Sequence, residues 1–278
     1  MNMKKNKVVV WVQRIIIWAT TIVFLFPFYI SILMAVKSKK ETAQDLLAFP
    51  TTIHWENFAE AMKKANILQS MKNSIILTVG AVILTLIVAS MAGYAIGRQY
   101  HKKAFRFYEV LLMAAMMIPF QTLMIPIYKM YKSMNLLNSI PGAIIMIGAC
   151  NMPFAVMLFI GFVRTIPIEL EEAAMLEGCS KAKIFFKIIF PLLKPITVTI
   201  AVLDSLWTWN EFNVSLLLLQ KKAVKTIPIQ QYVFFGEHSS NYNMAFAAAV
   251  ISMIPIVIFF IVAQKHIVAG MTAGAVKG

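Results

Sequence analysis

The sequence predicts an all-α integral membrane protein with six transmembrane helices, and two observations predict it. Of 278 residues, 60% are hydrophobic and 14% charged, where soluble domains carry about 45–50% and about 25%. The apolar residues also gather into six runs that approach or exceed the roughly 20 a bilayer core demands. A soluble chain would interrupt such runs with polar faces.

The runs span residues 15–36, 74–97, 110–128, 140–163, 196–219 and 244–263, within one transmembrane domain over 1–278. Only the fifth contains charges, Asp204 and Glu211. The net charge of +14 does not point to nucleic acid, because the basic residues lie between the runs. With the N-terminus in the cytoplasm, the inside segments 1–14, 98–109, 164–195 and 264–278 hold 15 of them, and the outside segments 37–73, 129–139 and 220–243 hold 11. This bias follows the positive-inside rule and places both termini in the cytoplasm. Lys4, Lys5 and Lys7 precede an apolar stretch too long for a signal peptide, and no small-residue cleavage site follows. It reads as an uncleaved first helix.

Cys150 and Cys179 lie within the fourth run and an inside loop, so no structural disulfide is expected. Neither has neighbours at metal-ligand spacing. No nucleophile–base set, metal cluster or phosphate loop suggests an enzyme. The driving energy therefore comes from an ion gradient or from a partner.

Pro27, Pro119, Pro126, Pro153 and Pro255 interrupt or border the runs, which predicts kinks wherever a neighbour satisfies the freed carbonyl. Ala89, Gly93 and Gly97 recur every fourth residue and form a face that lets another helix approach closely. Met113, Met116, Met117 and Met124 supply adaptable packing.

The inside loop 164–195 is the most informative segment. Pro167 suits a helix's first turn, and Glu169, Glu171 and Glu172 complement its positive end. Gly178 can close that helix in a left-handed cap, and Ser180 can open a second one. On the second helix Ile184, Phe185, Ile188, Ile189 and Leu192 share a face, and Pro191 and Pro195 terminate it. In the fifth run, Asp204, Trp207, Thr208, Glu211 and Ser215 fall on one stripe at 100° per residue. Ionisable groups inside a membrane are costly and face a cavity or a partner. The stripe therefore either lines a pathway or bonds a neighbouring helix.

Glu172-Ala173-Ala174, then Gly178, then Ile188, Phe190 and Pro191 resemble the EAA loop of bacterial ATP-binding-cassette importer permeases. Phe190 stands where that motif has leucine. Asn57-Phe58, Asn73-Ser74, Ala92-Gly93-Tyr94-Ala95 with Arg98, Pro119, Gln121, Pro126, Trp209-Asn210-Glu211-Phe212 and the ending Gly270 to Gly278 resemble the smaller permease of maltose and multiple-sugar importers. The likeness covers nearly the whole chain.

The resemblance implies a type I importer permease fold, with 164–195 as a cytoplasmic coupling loop. It assigns ATPase coupling to Glu172, Ala173, Ala174, Gly178 and Pro191, and gives Lys277 a candidate ATPase-contacting role. It implies a second permease subunit as a heterodimer partner, two ATPase subunits that carry ATP and magnesium, an extracytoplasmic solute-binding protein, and a sugar substrate. No cofactor is expected on this chain, and its place is the bacterial cell membrane. The last outside loop, with Tyr232, Phe234, Phe235 and Asn241, would meet the binding protein. The competing reading is an ion-coupled carrier that uses Asp204 and Glu211.

Overall fold

The computed structural model describes residues 7–234 and 241–275, with side chains from Val9 to Gln264 within that range. Every element among the described residues is helical. Four helices are long and apolar enough to cross a membrane: Val9–Val36, Ile67–Arg98, Ile140–Val163 and Tyr242–Gln264. Two bent pairs bring the total to six if each pair is one span. In order the helices are α1 (Lys7–Val36), α2 (Lys39–Gln44), α3 (Glu56–Lys64), α4 (Ile67–Arg98), α5 (Lys103–Met116), α6 (Phe120–Ser133), α7 (Ile140–Val163) and α8 (Glu169–Leu176). They continue with α9 (Lys181–Ile184), α10 (Phe190–Leu192), α11 (Lys194–Trp209), α12 (Asn213–Leu218), α13 (Ile227–Gln230) and α14 (Tyr242–Ala275). A wide helical turn over Phe185–Ile189 joins α9 to α10.

The chain forms two compact units, one from Met1–Ile67 and Gln230–Ile254, the other from Leu68–Ile229 and Pro255–Gly278. In the first unit the orphan carbonyls at the end of α1 are met by asparagines. Asn57 Nδ2 donates to Ala35 O and Lys37 O, and Asn243 Nδ2 donates to Met34 O and Lys37 O at 2.9 Å. Lys37 is 1% exposed, and its ammonium donates to the carbonyls of Asp45 and Leu46. A buried lysine survives there because backbone oxygens replace its water. Ser38 and Glu41 form a capping box that opens α2. Glu41 also accepts from the Thr51 hydroxyl and amide. These bonds, Thr51 first and Ser38 after it, hold its carboxyl down at about 2.

The second unit is built on the contact of α4 with α7. Ala89, Ile96, Val156, Phe159, Ile160 and Val163 form its core, together with Ala174, Ile184, Phe185, Ile189 and Leu193. The small-residue face finds its neighbour within the chain. A Cβ on Gly93 would lie 2.4 Å from Phe159 Cβ and 3.2 Å from Val156 O, and one on Gly97 would lie 2.9 Å from Val163 Cγ1. A second cluster packs Leu77 and Ala81 of α4 with Ile127 and Tyr131 of α6, Ala143 and Ile147 of α7, and Val214 and Leu218 of α12. Asn73 and Ser74, at the opening of the second apolar run, hold the segment before α13. Asn73 Nδ2 donates to Ala223 O and Lys225 O, and Ser74 Oγ accepts from the Ile227 amide.

Two of the predicted runs are broken. Run 110–128 crosses a 100° bend between α5 and α6. Pro119 there takes an extended backbone, φ −62° and ψ 131°, and its missing N–H cannot continue the preceding helix. Run 196–219 breaks between Trp209 and Asn213, where Asn210 and Glu211 turn their side chains to local backbone groups.

Gly93→Leu should fold poorly, because overpacking a closed interface costs about 1–3 kcal/mol. Gly161→Ala is the control: its Cβ would meet nothing within 4 Å, and Ala favours a helix over Gly by about 1 kcal/mol. Thermal unfolding in detergent should lower the midpoint for the first substitution and hold or raise it for the second.

Candidate functional site

The segment between α7 and α11 forms the paired helices that the sequence predicts. Glu169, Glu171 and Glu172 occupy the first turn of α8. At its other end the Gly178 amide donates to Met175 O, and the Cys179 amide donates to Ala174 O, both at 3.0 Å. This is a complete Schellman closure. Gly178 sits at φ +80°, with open space around a would-be Cβ. The glycine is required for its backbone rather than for its size. Ser180 then caps α9 by accepting from the Lys183 amide.

The face of the second helix differs from expectation by one residue. Ile184, Phe185 and Ile189 are buried as predicted, but Leu193 is buried in place of Leu192. The cause is the wide turn, in which the Phe190 amide reaches back five residues to Phe185 O. Such a turn adds a residue and shifts the apolar phase. It lies just before Pro191, whose ring would meet the Lys187 carbonyl in a regular helix. The chain stays helical through Pro191, breaks at Leu193, and bends by 72° into α11. Pro195 sits in the first turn of α11.

The predicted coupling residues divide between two faces of α8. Glu172 and Ala173 are exposed, as are Gly178 and Pro191 outside it. Ala174 is 5% exposed and belongs to the core, so it packs the helix onto its own chain and offers no outer surface. Leu170, Met175 and Leu176 are also exposed, Leu176 at 91%. The outer face is thus an acid and a small residue among apolar side chains that this chain leaves uncovered.

The inner face holds a group that the sequence alone marks only as a helix-end acid. Glu171 is 2% exposed. Its Oε1 accepts from Arg98 Nε and its Oε2 from the Tyr94 hydroxyl, each at 2.6 Å. Arg98 Nη1 donates to Val163 O at 3.0 Å and to Ile166 O at 2.9 Å, where α7 ends. One guanidinium therefore joins the end of α4, the exit of α7 and the inner side of α8. The Tyr94 ring stands 5.2 Å from that of Phe185. Arg98 and Tyr94 are four apart on α4, which was the available signal. Nothing in the sequence separates Glu171 from Glu172 as the buried member.

The stripe in the fifth run does not survive as one face, because the break at Asn210–Phe212 resets the helical phase. Asp204, Thr208 and Ser215 are buried inside this chain, whereas Trp207 is half exposed against Phe154. Thr208 pairs with Asn151 at 3.3 Å. Glu211 accepts from the amides of Val214 and Ser215 at 2.7 and 2.9 Å, and from the Ser215 hydroxyl. It therefore caps α12. Neither oxygen of Asp204 has a hydrogen-bond partner among the described residues. Lys277 and Phe235 lie outside the described residues. No group of three metal-ligating side chains occurs among the described residues.

Fold and site together define a multi-pass helical membrane protein that ties a short helix, α8, to its long ones. The chain belongs to the family of binding-protein-dependent transport system inner membrane components, which it matches over residues 86–273. It is 38% identical to the melibiose/raffinose/stachyose import permease protein MelC of Bacillus subtilis, covering 91% of each chain. It is 32% identical to the multiple sugar-binding transport system permease protein MsmG of Streptococcus mutans, covering 99% of each. Its fold is that of a chain in the crystal structure of a bacterial ABC transporter that imports the acidic polysaccharide alginate. The TM-score there is 0.79, with 22% identity over 95% of this chain and 98% of that one.

Removing one partner of a buried ion pair costs about 3–5 kcal/mol, whereas an exposed pair is worth about 0–1 kcal/mol. Arg98→Ala should therefore lower the unfolding midpoint far more than Arg164→Ala. Arg164 pairs with Glu109 at 2.7 Å but is itself 38% exposed. Equal midpoints would contradict the burial of the Arg98 cluster.

Proposed function

We propose that this chain is a permease subunit of an ATP-driven importer for di- or oligosaccharides, and that α8 docks on a cytoplasmic ATPase subunit. The outer face of α8 carries this reading. It presents Glu172 and Ala173 amid exposed Leu170, Met175 and Leu176, while its inner face is fixed to the spans. A small residue admits close approach, the apolar neighbours gain from burial, and Glu172 can pair with a basic group. In this reading ATP and magnesium reside on two partner ATPases, and this chain performs no hydrolysis. A second permease subunit completes the path, and an extracytoplasmic binding protein delivers the sugar. Both termini and α8 then lie in the cytoplasm of a bacterial cell. The names of the relatives support the sugar class, and family membership supports dependence on a binding protein. Capping of α12 by Glu211 gives the ion-coupled alternative no support, because the carboxylate is already engaged.

Ala173 is exposed and touches no core, so Ala173→Trp should leave the unfolding midpoint unchanged. It should also reduce the ATPase recovered with the chain in mild detergent by at least about tenfold, equivalent to about 1.4 kcal/mol of interface energy. Recovery equal to wild type would remove α8 as the docking element.

A further inference from the structure

We infer that Glu171 is a positioning residue that makes α8 and the end of α4 move as one body. This inference rests on the ATPase-docking reading of α8. The short helix is attached along the chain only through residues 164–168 to α7 and through the Glu177–Ser180 turn to α9. Neither link reaches α4. Glu171 does, through Arg98 Nε and the Tyr94 hydroxyl, and Arg98 in turn holds Val163 O and Ile166 O. Force applied to the outer face of α8 can pass along the backbone into α7 and α9 and through Ala174 into the apolar core, and the ion pair adds a direct polar route into α4.

The ion-pair route is stiff for a physical reason. Glu171 is buried and Arg98 is 14% exposed, so separating them leaves a buried carboxylate without its charged partner. The two carboxylate oxygens take different partners, Oε1 the Arg98 Nε–H and Oε2 the Tyr94 hydroxyl, in place of a two-pronged pair with Arg98 alone. Nη2 is buried without a hydrogen-bond partner among the described residues. The carboxylate is thus shared between two α4 side chains one turn apart, which fixes its orientation about the helix axis as well as its distance. Glu172, its neighbour, points outward and cannot serve this purpose. The acidic pair divides the work: one residue faces the partner, and the other transmits to the spans.

The test measures distance in the assembled transporter. With Cys150 and Cys179 changed to Ser, spin labels go on Glu177→Cys at the end of α8 and His101→Cys just past α4, both exposed positions. Label separation is read with the ATPase nucleotide-free and trapped with magnesium, ATP and vanadate. The wild-type separation should hold within about 2 Å, the scale of helix shifts at interfaces, and Glu169→Gln on the same turn should not alter this. Glu171→Gln should broaden the distribution and let the separation change between the two states. Should that variant fail to fold, Arg98→Gln removes the charge that pairs with Glu171 and should show the same release. A separation that changes in the wild type, or one that stays fixed in both variants, overturns the inference while leaving α8 docking intact. Failure of the wild-type chain to bind an ATPase overturns both.

Discussion

How closely α4 approaches α7 decides what the rest of the second unit can do. Gly93 lacks the Cβ that would otherwise meet Phe159, and Gly97 gives the same room beside Val163. With two ordinary residues the axes would stand farther apart by most of a side chain. Arg98, one residue beyond Gly97, could not then reach the carbonyls where α7 ends. The same approach places Tyr94 and Arg98 over Glu171, so the seat of α8 follows from two missing side chains on a different helix. In a membrane, where burying apolar surface gives little drive for helix association, such close packing supplies the cohesion.

Several polar groups elsewhere share one role: they close backbone ends that lipid would leave unsatisfied. Asn57 and Asn243 meet the carbonyls at the end of α1. Asn73 and Ser74 gather the segment before α13, and Glu211 supplies acceptors to the first amides of α12. Each is a side chain that sequence reading alone assigns as readily to function. Asp204 does not follow it, enclosed with neither oxygen bonded among the described residues, and the hydroxyls of Thr78, Thr85 and Thr226 are likewise buried without a partner there.

Much of the fold was legible in the sequence. Long apolar runs announce helices because the bilayer leaves few alternatives, and Gly178 and Ser180 mark a cap and a start whose chemistry is local. The kink at Pro119 was announced by its proline, but two other features were not legible, for a shared reason. The interruption at Asn210 and the wide turn before Pro191 each alter helical phase, and a 100° projection assumes constant phase. That assumption placed Asp204 to Ser215 on one stripe and Leu192 on the buried face. The choice between Glu171 and Glu172 was also hidden, because α8 is too short for its apolar residues to define an inner face. Only the packing of α4 against α7 settles which acid turns inward, and the bonds from Tyr94 and Arg98 to Glu171 span more than seventy residues of chain.

The central claim is that α8 is the element through which this chain meets its energy source. The most direct measurement is an electron cryo-microscopy reconstruction of the chain purified in mild detergent from its own membrane with whatever accompanies it. A second permease and two ATPases are expected in it, with Glu172, Ala173 and Leu176 seated in a cleft of the nearer ATPase. A reconstruction in which these residues remain uncovered, with the ATPases absent or bound elsewhere on the chain, would contradict that claim.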